Sequence, residues 1–304
     1  MTVNDVTAGT VTSTQSWLVG DQLPLDVAPP RADPAPPRSP GPVKRVSLGG
    51  CAVDLCDEST VAAIVGATLR DPAQPAVAIA SANLDHLHHF GLDGRDRWRL
   101  PRDRESLQWL TLLDGAPLVS RVRRWSGEPY PRLAGADLLG PLLAEVARLG
   151  AVVGFLGGQQ PMLDALRERL ATDYPALRIG GCWSPTREEL GDSDANATLI
   201  EQVRAARVDV LVVGLGKPRQ ELWIDAYAEL TGARVLLAFG ASADFLAGQV
   251  TRAPQWLRDH GLEWSYRLAH EPRRLGRRYL VQGPRAMSRL VFEPVHTLTT
   301  SHWV

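Results

Sequence analysis

The sequence is poor in cysteine, and its three cysteines follow no pairing or metal-binding pattern. Cys51, Cys56 and Cys182 are odd in number and include no CxxC pair. This spacing argues against a disulfide framework and against a structural zinc site, because both need paired or clustered thiols. We therefore expect buried or free thiols in a reducing compartment.

Long apolar runs and an excess of one charge are also missing. The most apolar stretch, residues 144–158, is broken by Glu145 and Arg148, whereas a membrane-spanning helix needs roughly 18 uninterrupted apolar residues. The N-terminus lacks the basic start, apolar centre and cleavage site of a secretory signal. A formal net charge of -1 argues against general nucleic-acid binding. These absences predict a cytoplasmic protein that binds no nucleic acid.

The N-terminal composition differs from that of the rest of the chain. Eight of the 23 prolines lie in residues 1–43. Such a segment buries too little apolar surface to offset the entropy lost on ordering, so it is predicted to be disordered. A folded α/β domain is expected over residues 44–250, followed by a basic helical appendage over residues 251–304.

Short apolar runs alternate with helical patterns across the expected domain. The candidate strands are residues 45–48, 76–80, 151–156, 177–180, 208–213 and 234–238. Continuous apolar strands separated by helices indicate a mostly parallel sheet that is covered on both faces. The prediction is a Rossmann-like α/β fold in which helices flank the sheet.

Three glycine-rich turns follow candidate strands, at Gly154–Gly158, Gly214–Gly216 and Gly240. In open α/β sheets ligands bind outside the carboxyl ends of the strands, where glycine lets the backbone approach a phosphate. Taken singly, each turn is better explained as a tight connection between a strand and a helix. None matches GxGxxG, so a dinucleotide site has weak support.

Polar residues in three other places are candidates for chemistry. Asp114 follows an apolar stretch on a Gly/Pro turn, where a carboxylate either acts as a general base or bonds its own backbone; local sequence favours the second. His86, His88 and His89 favour a solvated helix face over a metal site. The one plausible DxD, at residues 192–194, has no strand directly before it, which points to a metal-independent reaction.

Residues 252–285 carry eight arginines and three acids. A solvated helical surface explains this pattern, with arginine stems packed against Trp256, Trp264 and Tyr266. An arginine clamp on a diphosphate explains it equally well, because guanidinium groups match phosphate oxygens. A third interpretation is a surface that lies beside anionic lipid.

Several motifs in the C-terminal half occur in a fixed order. The most specific is VGLGKPRQELWI at residues 213–224, followed by DFLAG at 244–248, RAPQW at 252–256 and GLEWSYRL at 261–268. The first is similar to the motif VGLGxPKQExWI of the WecG/TagA/CpsF glycosyltransferases. Over about residues 45–282 the sequence resembles this family.

The resemblance implies an inverting transfer of a sugar, such as N-acetylmannosamine, from a UDP-sugar to a polyprenyl-diphosphate-linked acceptor. No metal and no cofactor are expected. Asp114, in a motif that resembles the family's DGxP, would be the catalytic base. Together with the glycine turns, the predicted substrate-binding residues are Ser81, Asn83, Arg132, Gly157, Gly214, Gly216, Gln220, Arg267, Arg274 and Arg277.

The resemblance also bears on location and partners. A lipid-linked acceptor and the basic C-terminal segment predict peripheral contact with the inner face of the cell membrane, and a homo-oligomer is compatible with the sequence. The charged segment Gly91–Ser106 departs from the family pattern on the expected acceptor side. Two alternatives stay open: a nicotinamide-dependent oxidoreductase, and a non-catalytic scaffold at the membrane.

Overall fold

The structure is a computed structural model that describes part of the 304-residue chain. The described residues are 42–99, 101–240, 242–248, 253–254, 256–257 and 262–302. The segment that is predicted to be disordered lies outside them except for its last two residues. Arg252 and Arg258 of the basic segment also lie outside the described residues.

Nine strands of the described residues form one sheet. They are β1 (Pro42–Leu48), β2 (Cys51–Leu55), β3 (Ala76–Ala82), β4 (Leu107–Leu113), β5 (Val152–Leu156), β6 (Arg178–Trp183), β7 (Val210–Val213), β8 (Val235–Ala238) and β9 (His296–His302). Their spatial order is β6-β5-β7-β8-β3-β4-β2-β1-β9. All pairs from β6 to β2 are parallel, whereas β1 runs antiparallel to both β2 and β9. The predicted mostly parallel sheet is confirmed.

Helices connect the strands and continue beyond the last parallel strand. They are α1 (Glu58–Arg70), α2 (Leu84–Phe90), α3 (Ala116–Ser126), α4 (Gly135–Arg148), α5 (Gln160–Asp173), α6 (Arg187–Gly191), α7 (Ser193–Ala205), α8 (Arg219–Thr231), α9 (Ser242–Leu246), α10 (Glu263–His270), α11 (Pro272–Arg277) and α12 (Gly283–Phe292). A 3₁₀ turn spans Arg97–Arg99, and a π-helical turn spans Arg278–Gln282. Within the described residues, no helix is long and apolar enough to span a bilayer.

The apolar strands are buried because helices cover both faces of the sheet. Along β3, Val77 and Ile79 pack into one core cluster with α1, α4 and α5. Ala78 and Ala80 belong to a second cluster with α7 and α8. Side chains that alternate between two covered faces explain why these strands are apolar at every position.

The six candidate strands are confirmed with small shifts of their ends, but three strands were missed. Strands β2 and β4 carry polar residues within their apolar stretches, and β9 has the polar sequence HTLTTSH. Strand β9 pairs with β1, and Leu290 of α12 is buried in a third core cluster with Leu48. Residues 283–302 therefore complete one end of the sheet, which the sequence did not indicate.

The burial of α12 predicts a large effect of truncating Leu290. Leu290 is 2% exposed, so Leu290→Ala should lower the free energy of unfolding by about 2–5 kcal/mol through lost burial and a cavity. Phe292 on the same helix is 83% exposed, and Phe292→Ala should change that free energy by less than about 0.5 kcal/mol. Urea unfolding curves measure both; equal effects would contradict the packing of α12.

Candidate active site

The carboxyl ends of three neighbouring strands meet in a cluster of glycines. Gly157 follows β5 with a φ of +102°, and a Cβ atom there would lie 2.7 Å from the carbonyl carbon of Gly214, which follows β7. A Cβ atom at Gly240, which follows β8, would lie 3.6 Å from the Cα atom of Gly216. These loops therefore lie in direct contact, and at Gly157 only glycine combines this backbone angle with this proximity.

Asn83 lies where β3 passes into α2, and its side chain makes contacts in two directions. The side-chain oxygen Oδ1 accepts a hydrogen bond from the backbone N–H of His86 at 3.2 Å, which caps the helix. The side-chain nitrogen Nδ2 donates to Asp114 Oδ2 at 3.2 Å. Because β3 and β4 are adjacent and parallel, both residues lie at the same edge of the sheet.

Asp114 directly follows β4, and its carboxylate is half-buried. Oδ2 accepts from Asn83, and Oδ1 accepts from the backbone N–H of Gly115 at 2.7 Å. The local turn bond that the sequence favoured is therefore present together with the longer-range contact. Burial raises the pKa of Asp114 above its ordinary value, although Arg132, Asn83 and the Gly115 N–H lower it and Glu263 raises it. A carboxylate that is partly desolvated in this way is suited to accept a proton.

Arg132 lies beside this carboxylate and is held by two other acids. Its guanidinium forms ion pairs with Asp137 at the start of α4 and with Glu263 at the start of α10, each at 3.1 Å. The charge of Asp114 also contributes to raising the pKa of Arg132. The bond to Glu263 brings α10, a helix of the basic C-terminal segment, to the carboxyl edge of the sheet.

Ser81 and Gln220 are both buried at the same edge. Ser81 is the second-to-last residue of β3 and lies two residues before Asn83. Gln220, in the first turn of α8, donates from Nε2 to the carbonyl of Ala238 at 2.7 Å, which ties α8 to the end of β8. Its Oε1 atom, which would lie 2.6 Å from a Cβ at Gly240, has no hydrogen-bond partner among the described residues. The binding role of both residues stays a prediction.

The three predicted arginines of the basic segment lie on α10 and α11. Arg267 is half-buried on α10, one helical turn beyond Glu263, so both lie on one face of that helix. Arg277 is exposed at the end of α11. Arg274 lies on α11, but its side chain is outside the described part of the structure. The structure thus brings α10 to the site and leaves the phosphate clamp a prediction.

The prediction of a solvated histidine face on α2 is wrong for two of the three residues. His86 and His89 are buried, and His88 is half-buried. The reason is that α2 is covered: α12 and the π-helical turn pack against it, as does the Lys217 side chain. His89 Nδ1 lies 2.8 Å from Asp96 Oδ2, so this buried ring has a carboxylate partner.

The DxD segment caps a helix and does not follow a strand. Asp192 caps α7 by accepting from the backbone N–H groups of Asp194 and Ala195, and α6 rather than a strand precedes it. Among the described residues, no three His, Cys, Asp or Glu side chains lie close enough together to hold a metal ion.

Sequence reasoning missed several residues that shape this edge. Glu263 was counted only as one acid of the basic segment, and its contact with Arg132 spans 131 positions in sequence, which no local pattern reveals. Lys217 and Glu221 lie within the motif at residues 213–224, whose sequence does not reveal that they form a buried ion pair. Asn83 was predicted as a binding residue by the resemblance. Its capping role could also have been predicted, because an asparagine directly before a helical run is a typical N-cap.

The buried state of Asp114 predicts a stability that depends on pH. A folded-state pKa above the unfolded value means that the acid costs stability as the pH rises through that interval. The melting temperature of Asp114→Asn, taken relative to that of the unmodified protein, should therefore be higher at pH 8 than at pH 4. Paired thermal melts at the two pH values measure this difference, and a difference that is constant or reversed would contradict it.

The sequence also matches a known protein family. The sequence profile of the glycosyl transferase WecG/TagA/CpsF family matches residues 46–299, which includes the sheet, the glycine turns, Asp114 and the C-terminal helices. This match covers well over half of the chain. The protein belongs to the WecG/TagA/CpsF family of glycosyl transferases.

Proposed function

We propose that this glycosyltransferase moves a sugar from a UDP-sugar to a hydroxyl of a polyprenyl-diphosphate-linked acceptor, with inversion at the anomeric carbon. The observation that carries the proposal is the half-buried Asp114 carboxylate, held by Asn83 at the glycine-lined carboxyl edge. Membership of a glycosyl transferase family favours this reaction over nicotinamide-dependent oxidoreduction.

The proposed chemistry is a single displacement. The acceptor hydroxyl oxygen forms a bond to the anomeric carbon, while the bond between that carbon and the diphosphate oxygen breaks. UDP leaves with the electron pair, and the hydroxyl proton passes to Asp114. The raised pKa of Asp114 supports this role because a stronger base takes the proton more readily, provided that it is ionised at the working pH.

Positive charge near the leaving diphosphate comes from arginine in this proposal. Arg132 is the best-placed candidate, with Arg267, Arg274 and Arg277 expected to close over the diphosphate from the C-terminal segment. Arg132 forms ion pairs with Asp137 and Glu263. A bound diphosphate would compete with those carboxylates, and displacement of Glu263 would couple donor binding to a shift of α10.

The acceptor side is proposed to face a membrane surface. Leu280, Val281, Val291 and Phe292 are exposed on the π-helical turn and α12, close in sequence to exposed Arg277 and Arg285. Basic helices with exposed apolar side chains favour the headgroup region of anionic membranes. Peripheral contact with the inner face of the cell membrane would bring the site to a lipid-linked acceptor.

Replacing the proposed base tests the chemistry. Asp114→Asn keeps the shape of the side chain but accepts no proton, so kcat should fall by about 10²–10⁴-fold. Binding of the UDP-sugar should be retained, because Asp114 faces the acceptor in this proposal. Turnover of labelled UDP-sugars and a thermal-shift titration with the same donor measure the two quantities.

Asp173→Asn, at the far end of α5, is the matched control and should keep full activity. An Asp114→Asn enzyme with more than about a tenth of the normal kcat would remove Asp114 as the base.

Exposed apolar side chains predict the strength of membrane contact. Burying one leucine or phenylalanine contributes roughly 1.5–3 kcal/mol, so Leu280→Ser/Phe292→Ser should lower partitioning onto anionic vesicles by more than about tenfold. Vesicle flotation measures the partitioning. Leu230→Ser, which changes a similarly exposed leucine on α8, is the control. Unchanged flotation of the double variant would contradict this surface. Substitution is preferable to truncation here, since removing the segment also removes β9.

A further inference from the structure

The chain has only two lysines among its 33 basic residues, and one of them is buried beside the glycine-lined edge. Lys217 follows Gly216, and its side chain is almost wholly buried. Its ammonium forms an ion pair with Glu221 in the first turn of α8, a carboxylate with no exposed surface. Because burying two charges is costly, such a pair contributes little net stability, and a second role would explain why it is present.

The second contact of Lys217 is an imidazole that follows a different strand. Lys217 comes after β7 and His86 after β3, and β8 lies between those two strands. Lys217 Nζ lies 3.5 Å from His86 Nδ1. Burial, the Lys217 charge and His89 lower the pKa of His86 well below its usual value, so the imidazole is neutral at pH 7. Nδ1 then accepts from the ammonium, and the ring proton lies on Nε2.

His86 also belongs to the turn that holds the proposed base. Its backbone N–H donates to Asn83 Oδ1 at 3.2 Å, and Asn83 Nδ2 donates to Asp114 Oδ2 at 3.2 Å. Contacts of 3.5 Å or less therefore connect Glu221, Lys217, His86, Asn83 and Asp114.

We propose that Lys217 is a positioning residue, whose ammonium fixes the first turn of α2 through His86 and so keeps the Asn83 amide on Asp114. The inference rests on the proposed function only for the role of Asp114 as the base. An ion pair that merely stabilised the fold would change the melting temperature and leave the Asp114 carboxyl undisturbed.

The variant that tests this removes both charges. Lys217→Met alone would leave the Glu221 carboxylate buried without a partner and endanger folding. Lys217→Met combined with Glu221→Gln keeps the size of both side chains and retains an acceptor for Gln220 Nε2, which now donates to Glu221 Oε1 at 3.1 Å. It deletes the ammonium that donates to His86.

The primary measurement is the pKa of Asp114 by carboxyl ¹³C NMR, with the resonance assigned by its loss in Asp114→Asn. The Asn83 hydrogen bond lowers this pKa, so losing it should raise the pKa. We expect the same upward shift in Asn83→Ala and in the double variant, and no further shift when the three changes are combined. Arg132, the Gly115 N–H and Glu263, which also act on Asp114, are unchanged in all of them.

Lys44→Met is the matched control, since Lys44 is the other lysine and lies over the Trp125 ring instead. It should leave the Asp114 pKa unchanged. A double variant that folds with an unshifted Asp114 pKa, or a shift that adds to that of Asn83→Ala, would overturn the proposal.

Turnover separates this inference from the proposed function. If transfer occurs, kcat of the double variant should fall by about 10–100-fold with little change in the KM of the donor, because a base that is misplaced by an ångström loses rate rather than donor binding. If the unmodified protein transfers no sugar while the NMR shifts appear as expected, the proposed function fails and the positioning role stands. If the double variant instead turns over normally and its Asp114 resonance is unshifted, the positioning role fails and the proposed function stands.

Discussion

The desolvation of one carboxylate is the constraint on which the account of this site depends. Asp114 is shielded enough for burial to raise its pKa, yet a general base must be ionised before it accepts a proton. The Asn83 amide, the Gly115 N–H and the nearby Arg132 charge offset part of that cost. The balance between burial and these three groups sets the pH range in which the proposed base is ready to act.

The parallel sheet provides the geometry for that balance. Because β3 and β4 are parallel neighbours, their carboxyl ends place Asn83 beside Asp114 without any contribution from distant loops. The glycine turns after β5, β7 and β8 continue the same edge, where backbone N–H groups at helix starts attract anions. Arg132 connects this edge to the C-terminal segment through its ion pair with Glu263, so the start of α10 lies at the same edge as the proposed base.

The fold could be predicted from the sequence because strands and turns depend on local patterns, whereas the candidate site residues came from the family resemblance. Buried strands are apolar at every position, and glycines mark the turns that follow them. The strand β9 was missed because HTLTTSH has no apolar pattern; it pairs by backbone hydrogen bonds at the end of the sheet. The burial of His86 and the pairing of Arg132 with Glu263 could not be predicted, since each depends on segments more than 100 residues apart.

The central claim is that one carboxylate acts as base in a single displacement, and product stereochemistry tests it most directly. In such a reaction the acceptor oxygen attacks from the side opposite the leaving UDP. The ¹H NMR spectrum of the product, made with whichever UDP-sugar is turned over, gives its anomeric configuration. The account predicts a configuration opposite to that of the donor. A product with the donor's configuration would rule out attack from the side opposite UDP and would contradict the account.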